Sequence, residues 1–126
     1  MQQLRFLEWQ VYKEARELSV TTINLVRKLP KEYRFELGSQ MIRASLSIGL
    51  NIAEGSGKKS DTELGRFLDI SLGSLYETLA CADIFRHGKL ITQEDFHLVE
   101  SRVLSIAKQL GGFKRGLDLK VVGRRL

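Results

Sequence analysis

Cysteine and proline are almost absent from this sequence. Its 126 residues include one cysteine, Cys81, and one proline, Pro30. A single cysteine excludes a disulfide within the chain and favours a reducing compartment. The apolar neighbours of Cys81 predict a core residue rather than a reactive thiol. With only one proline to interrupt them, long helices joined by short connections are expected.

Long apolar runs are also missing. No segment approaches the ~18 apolar residues that a membrane-spanning helix requires. Glu8 interrupts the N-terminal stretch where a signal peptide would need its apolar region. We therefore expect a cytoplasmic protein that has no membrane partner.

Residues that commonly carry catalysis or hold cofactors are sparse. The two histidines, His87 and His97, have no third ligand nearby and make a poor metal site. The segment GSGKKS lacks the spacing of a phosphate-binding loop and lies between two predicted helices rather than after a strand. The sequence predicts no enzyme activity, no metal and no cofactor.

Positive charge, in contrast, is concentrated near the C-terminus. The chain has 20 Lys and Arg against 15 Asp and Glu, a net charge of +5. From Lys108 onward it has six basic residues and one acidic residue, so this segment carries the whole net charge. Such a tail attracts polyanions by releasing their counterions, but basic termini also serve as solubilising ends. Both interpretations remain open at this stage.

Apolar residues recur at helical spacing through most of the chain and predict four helices. These cover residues 5–29, 35–54 and 60–85, and a fourth begins at residue 92. Ser60 with Glu63 forms a capping box at the third helix, and Thr92 with Asp95 a weaker variant at the fourth. The predicted fold is all-α, an up-down-up-down antiparallel four-helix bundle. It forms one domain, residues 1–120, followed by a basic, frayed tail, residues 121–126.

The first predicted helix has more apolar surface than one core needs. Leu4, Leu7 and Leu18 fit a single stripe, whereas Trp9 and Tyr12 lie off it. Excess apolar surface of this kind suggests contact between subunits. We therefore expect a homo-oligomer with Trp9 or Tyr12 partly at the interface.

A stripe of polar residues runs beside the apolar stripe of the second helix. If the second and third helices are antiparallel around Gly57, polar residues of both come together, and Gly73 allows the backbones to approach closely. Buried polar groups need partners, so we expect these side chains to be partly buried and bonded across the helices. A structural network is the favoured interpretation, and a pocket or docking point is the alternative. The set comprises Arg43, Ser47, Asn51, Glu54, Arg66, Ser74 and Glu77.

The segments EWQVYKEAREL, RASLSIGLNIAEGSGKKS and FLDISLGSLYETLACA together resemble one family. The chain resembles the four-helix-bundle proteins encoded within 23S rRNA intervening sequences, whose fold is shared by the accessory variability protein of diversity-generating retroelements. The resemblance implies a barrel-shaped homopentamer, RNA or DNA binding through a basic ring, and a reverse transcriptase as a further partner. This chain has Gly49 where the resembled family usually has proline.

Basic residues in a loop and in the C-terminal segment are the predicted nucleic-acid contacts: Lys58, Lys59, Lys114, Arg115, Arg124 and Arg125. We expect the loop and the C-terminal cluster to lie at opposite ends of the bundle, with the C-terminal cluster as the main contact. The predicted function is that of a non-enzymatic, oligomeric, nucleic-acid-binding accessory protein. The alternative is an oligomeric protein–protein scaffold whose positive charge is incidental.

Overall fold

The computed structural model describes the backbone of residues 2–125 and the side chains of residues 4–119. A 3₁₀ helix, Gln2–Glu8, precedes five α-helices. No strand occurs in the described backbone, and the prediction of an all-α bundle is confirmed. The α-helices are α1 (Gln10–Arg27), α2 (Lys31–Arg34), α3 (Glu36–Ser56), α4 (Asp61–His87) and α5 (Gln93–Arg125).

The four long helices pack side by side around one core. α3 lies between α1 and α4, and α5 packs against both α4 and α1. Ser47 of α3 meets Ser74 of α4, whereas the earlier Gln40 meets the later Glu77. Residue numbers thus rise along α3 as they fall along α4, so these two neighbouring helices are antiparallel.

The helices bury the apolar stripes that the sequence pattern predicts. Leu18, Ile48, Leu75 and Ile106, one from each long helix, are fully buried. Burying such a side chain contributes about 1.5–3 kcal/mol, so the stripes account for the packing of the four helices. Cys81 is also buried, and this burial raises the pKa of its thiol. It is a core residue, as predicted.

Side-chain caps fix the starts of the last two helices. The Ser60 hydroxyl accepts a hydrogen bond from the backbone N–H of Glu63 at 3.1 Å. At the start of α5, the Thr92 hydroxyl accepts from the Asp95 N–H at 3.0 Å, and the Asp95 carboxylate accepts from the Thr92 N–H at 3.2 Å. Both predicted caps are confirmed, and the box predicted to be weaker is the fully reciprocal one.

The first predicted helix is divided in the structure. Trp9 has an extended backbone, with φ −68° and ψ 129°, and α1 begins after it. Leu4 and Leu7 consequently leave the core stripe and are 49% and 41% exposed. The single helix expected over residues 5–29 is therefore wrong at its N-terminal end, because the break at Trp9 turns the preceding segment toward α3.

α3 continues without a break through Gly49, where the resembled family usually has proline. A Cβ atom at this position would lie 3.5 Å from the Tyr12 ring of α1, an ordinary van der Waals contact.

Within the described residues, no helix combines the length and the apolar character needed to cross a membrane.

Candidate nucleic-acid interface

The turn between α3 and α4 presents the first group of basic residues. A Cβ atom on Gly55 would lie 2.8 Å from Phe67 Cβ, so glycine is needed where these two helices meet. Beyond this contact, Lys58 Nζ lies 5.0 Å from the centre of the Phe67 ring and Arg66 Cζ lies 5.8 Å from it. Cation–π attraction of this kind is modest at an exposed site, about 0.5–1 kcal/mol. It nevertheless holds two cations beside one aromatic ring.

The C-terminal basic segment lies at the same end of the bundle. Lys114 Nζ donates to both carboxylate oxygens of Asp69, each at 2.6 Å, which places this part of α5 beside the first turns of α4. From Lys114 the helical backbone continues to Arg125 toward the turn between α3 and α4.

The expectation that the loop and C-terminal clusters lie at opposite ends is therefore wrong. In a bundle of alternating helices, α3 and α5 run in the same direction, so both finish at the end where α4 begins. The loop residues Lys58 and Lys59 and the C-terminal half of α5 thus approach one another.

The predicted contact residues differ in whether their charges are paired with acidic side chains. Lys114 is paired with Asp69, and this hydrogen bond raises the pKa of its ammonium group. Among the described side chains, Lys58, Lys59, Arg66 and Arg115 are exposed and make no ion pair; the side chains of Arg124 and Arg125 lie outside the described residues. Of the predicted contact residues whose side chains the structure describes, Lys58, Lys59 and Arg115 therefore keep unpaired charges.

Three residues of the predicted polar stripe form a connected network between α3 and α4. The Ser74 hydroxyl donates to the Ser47 hydroxyl at 2.8 Å, and the Asn51 side-chain amide donates to the same hydroxyl at 2.9 Å. Nearby, the buried Ser71 hydroxyl donates to the Ile48 carbonyl at 2.8 Å. Short polar side chains thus join the two helices at their contact.

The charged members of the stripe do not join this network. Arg43, Glu54 and Glu77 are exposed, so the expectation that they are partly buried is wrong. Their long side chains lie at the rim of the α3–α4 contact, where the charges keep their water and avoid the desolvation penalty. Glu77 still accepts a hydrogen bond from Gln40 across the helices at 2.8 Å. Arg66 is exposed as well.

Gly73 does not permit the close approach that was expected of it. It is exposed, and an added Cβ atom would meet nothing within 4 Å. The close approach of α3 and α4 occurs at Gly55 instead, near the turn.

An aromatic cavity that the sequence interpretation did not find lies between the start of α1 and α5. The Trp9 and Phe113 rings meet edge to face, with centroids 5.0 Å apart. They line a cavity of about 430 Å³ together with Gln10, Val11, Gln109 and Gly112. The helical spacing of Gln109 and Phe113 on α5 was the available signal, but nothing in the sequence pairs them with Trp9.

Glu14 organises the polar groups beside this cavity. Its carboxylate accepts hydrogen bonds from Gln10 at 3.1 Å, from Ser105 at 2.6 Å and from Gln109. Partial burial alone would raise the pKa of this carboxyl. The hydrogen bonds and the nearby Arg102 charge outweigh that effect and hold the pKa of Glu14 below its ordinary value.

Groups suited to holding a metal are not assembled in the described part of the chain. Among those residues there is no cluster of three or more His, Cys, Asp and Glu side chains arranged as metal ligands. His87 lies 3.6 Å from Asp83, and His97 lies 3.4 Å from Glu100, one helical turn away in each case. Both histidines contact acidic side chains on the surface of their own helices.

Comparison with solved structures identifies a bundle similar to this one. One solved structure similar to it is a protein of unknown function from the S23 ribosomal protein family of Bacteroides thetaiotaomicron. It is 27% identical in sequence and superposes with a TM-score of 0.74, covering 79% of this chain and 94% of that one. No curated protein matches the chain.

The family match extends over most of the bundle. The model of the 23S rRNA-intervening sequence proteins matches residues 8–112, from the last residue of the 3₁₀ helix into α5. Neither the family description nor that of the structural neighbour names a catalytic activity. This chain belongs to the 23S rRNA-intervening sequence protein family.

Proposed function

We propose that this protein binds nucleic acid, with RNA or an RNA–protein complex as its partner, and that it is not an enzyme. The contact surface is the basic end of the bundle, defined by Lys58, Lys59, Arg66 and Arg115 and continued by the C-terminal part of α5. The observation that carries the proposal is the convergence of the loop and α5 on this one end.

The chemistry of this surface suits phosphate contacts. Its cations are exposed and make no ion pair with the described acidic side chains, and two of them, Lys58 and Arg66, lie beside the same Phe67 ring. Lys and Arg neutralise phosphates and release condensed counterions, a contribution that does not depend on base sequence. We therefore expect weak sequence preference and a strong dependence on salt.

The family supports RNA as the partner only in a general way. Its description links these proteins to intervening sequences of 23S rRNA, and the structural neighbour is assigned to a ribosomal protein family. A cytoplasmic location is part of the proposal. A reverse transcriptase partner, which the resemblance to the retroelement protein implies, stays a prediction.

Self-association forms the second part of the proposal. Val20 on α1 and Leu46 and Leu50 on α3 are 47%, 40% and 63% exposed. Exposed apolar side chains on neighbouring helices favour burial against another subunit. A closed homo-oligomer, for which we propose a pentamer, would repeat the basic end around a ring and strengthen its attraction for polyanions.

The same apolar face also favours the alternative function, an oligomeric scaffold for other proteins. The two functions differ in their response to salt. Binding through phosphates weakens with salt, with a slope of about −0.9 per phosphate neutralised on duplexes and about −0.7 on single strands. Association through the apolar face has no such dependence.

The test is a titration of labelled RNA at two salt concentrations. Lys58/Lys59→Ala should weaken binding and make the salt slope less steep, by up to about two phosphate contacts. Arg27/Lys31→Ala, which removes the same charge at the opposite end, is the matched control. Equal affinity of the parent and both variants, or binding that does not respond to salt, would overturn the proposal and favour the scaffold.

Light scattering tests the self-association separately. The proposed pentamer has five times the chain mass of 14.3 kDa. A monomer at micromolar concentration would contradict it, whereas Leu50→Glu should dissociate a genuine oligomer by placing charge on the apolar face.

A further inference from the structure

The cavity between the start of α1 and α5 has the composition of a site for a flat, polar-edged ring. Two aromatic rings, Trp9 and Phe113, form part of its wall, and Gly112 contributes backbone without a side chain. Its volume of about 430 Å³ falls within the range of small-ligand sites. The cavity lies on the part of α5 that leads into the basic end.

Two glutamine side chains line the cavity, and Glu14 fixes their orientation. The side-chain nitrogens of Gln10 and Gln109 both donate to the Glu14 carboxylate, and that of Gln109 also donates to the Ser105 hydroxyl at 3.3 Å. An ionised carboxylate only accepts hydrogen bonds, so the amide nitrogens must face Glu14. The two Oε1 atoms make no hydrogen bond with the described residues and remain available as acceptors.

Two arginines lie beside residues that line the same cavity. The Arg5 guanidinium carbon lies 5.5 Å from the centre of the Trp9 ring. Arg115 folds back along α5 so that its Nη2 lies 3.8 Å from the position a Cβ atom would take on Gly112. The aromatic cavity, with acceptors on its wall, thus has one cation beside Trp9 and another beside Gly112.

We propose that this cavity takes one unpaired base of a single-stranded nucleic acid, with Arg5 and Arg115 contacting the adjacent phosphates. This proposal rests on the proposed function and adds a site for unpaired bases beside the basic end. Proteins recognise unpaired bases by stacking them on aromatic rings and hydrogen-bonding their Watson–Crick edges. The Gln10 and Gln109 oxygens supply acceptors for those edges.

The chemistry selects unpaired bases rather than one particular base. Every common base has at least one N–H donor on its Watson–Crick edge, and base pairing uses that donor in a duplex. Stacking on aromatic rings is likewise tolerant of sequence. The cavity should therefore distinguish single strands from duplexes while leaving sequence preference low.

The experiment uses the full chain and its one tryptophan, Trp9, as the probe. A ten-nucleotide single-stranded RNA should quench Trp9 fluorescence on binding, and adenosine monophosphate should quench it at higher concentration. A blunt RNA duplex of the same length should bind through the basic end without quenching. Equal quenching by the duplex would overturn the base site. So would the absence of quenching by both the single-stranded RNA and adenosine monophosphate.

A cavity-filling variant makes the test sharper. Gly112→Leu adds a side chain at a glycine that lines the cavity, in a helix where glycine is unfavourable, and Gly73→Leu is the matched control at an open position of α4. We expect Gly112→Leu to weaken single-strand binding about tenfold or more and to change duplex binding less than twofold. Gly73→Leu should change neither.

The outcomes separate this proposal from the proposed function. If Gly112→Leu leaves single-strand binding intact while Lys58/Lys59→Ala weakens it, the base site is wrong and the basic end stands. If the parent binds neither RNA, both fail. If Gly112→Leu instead changes the mass measured by light scattering, the cavity is a contact between subunits and the base site is overturned.

Discussion

The two ends of the bundle use their basic residues in different ways. At the end containing the α4–α5 turn, Lys28 lies 3.5 Å from Asp95, and Arg86 bonds to Asp83 and Gln93 while lying 3.5 Å from the centre of the Phe96 ring. We call this the paired end.

At the basic end, the cations of the α3–α4 turn and Arg115 have no acidic partner among the described residues, and Lys114 is the exception. The paired end also has exposed cations without an ion pair among the described residues, Arg27, Lys31 and Lys89. The ends differ in that Lys28 and Arg86 bond to acidic side chains at the paired end, whereas the C-terminal part of α5 adds its cations to the basic end alone.

The largest effect on stability is expected at Gly55, where α3 and α4 approach closely near the turn of the basic end. Gly55→Ala would place a Cβ atom 2.8 Å from Phe67 Cβ and 2.9 Å from Leu64 Cδ1. Because Phe67 Cβ is fixed to its backbone, the helices must separate, and we expect a loss of about 3 kcal/mol. Thermal unfolding measures this. Gly73→Ala, the control with open space around it, should stabilise α4 by about 0.5–1 kcal/mol; similar melting of the two variants would contradict the close approach.

The arginines of the two ends should differ in their contribution to stability. Arg86→Ala removes hydrogen bonds and a cation–π contact made by a side chain that is 23% exposed. We expect it to lower the free energy of unfolding by about 1–2 kcal/mol. Arg66→Ala at the basic end should change it by less than about 0.5 kcal/mol. Urea unfolding of both variants tests this expected difference. A larger loss of stability for Arg66→Ala than for Arg86→Ala would contradict it.

A smaller effect is expected at Glu14, beside the aromatic cavity, and it depends on pH. The folded-state pKa of Glu14 is lowered, so its stabilising contribution is present above the ordinary value of 4.5 and is lost as pH falls through the folded-state value. The stability difference between the parent and Glu14→Gln should therefore be constant near neutral pH and shrink in acid. Urea unfolding at a series of pH values measures it, and a difference that grows in acid would contradict the assigned hydrogen bonds.

The smallest effect is expected at Arg43, between the two ends. Because Arg43 is exposed and makes no ion pair with the described residues, Arg43→Ala should change the free energy of unfolding by less than about 0.5 kcal/mol. Ser74→Ala, which leaves the Ser47–Asn51 pair without its partner, should have the larger effect. A marked fall in melting temperature for Arg43→Ala would support the sequence prediction that Arg43 is partly buried and bonded across the helices.

Much of the fold follows from the sequence, but the candidate site follows only in part. The apolar spacing identified the core faces of α3, α4 and α5, and Ser60 and Thr92 located two helix starts. The polar stripe predicted the bonds of Ser47, Asn51 and Ser74 correctly. It misjudged the longer Arg43 and Glu54, because helical spacing gives the face on which a side chain lies but not the depth at which its charged end rests.

The sequence by itself determined the elements, because periodicity and capping depend on residues within about four positions of one another. Only the tertiary structure decided which charges remain free and where a cavity forms. Lys114 and Asp69 are 45 positions apart, and Glu14 and Gln109 are 95 apart, so no local pattern connects them. Packing of α5 against α4 and α1 brings these pairs together, and it also brings the C-terminal basic segment to the end where α4 begins.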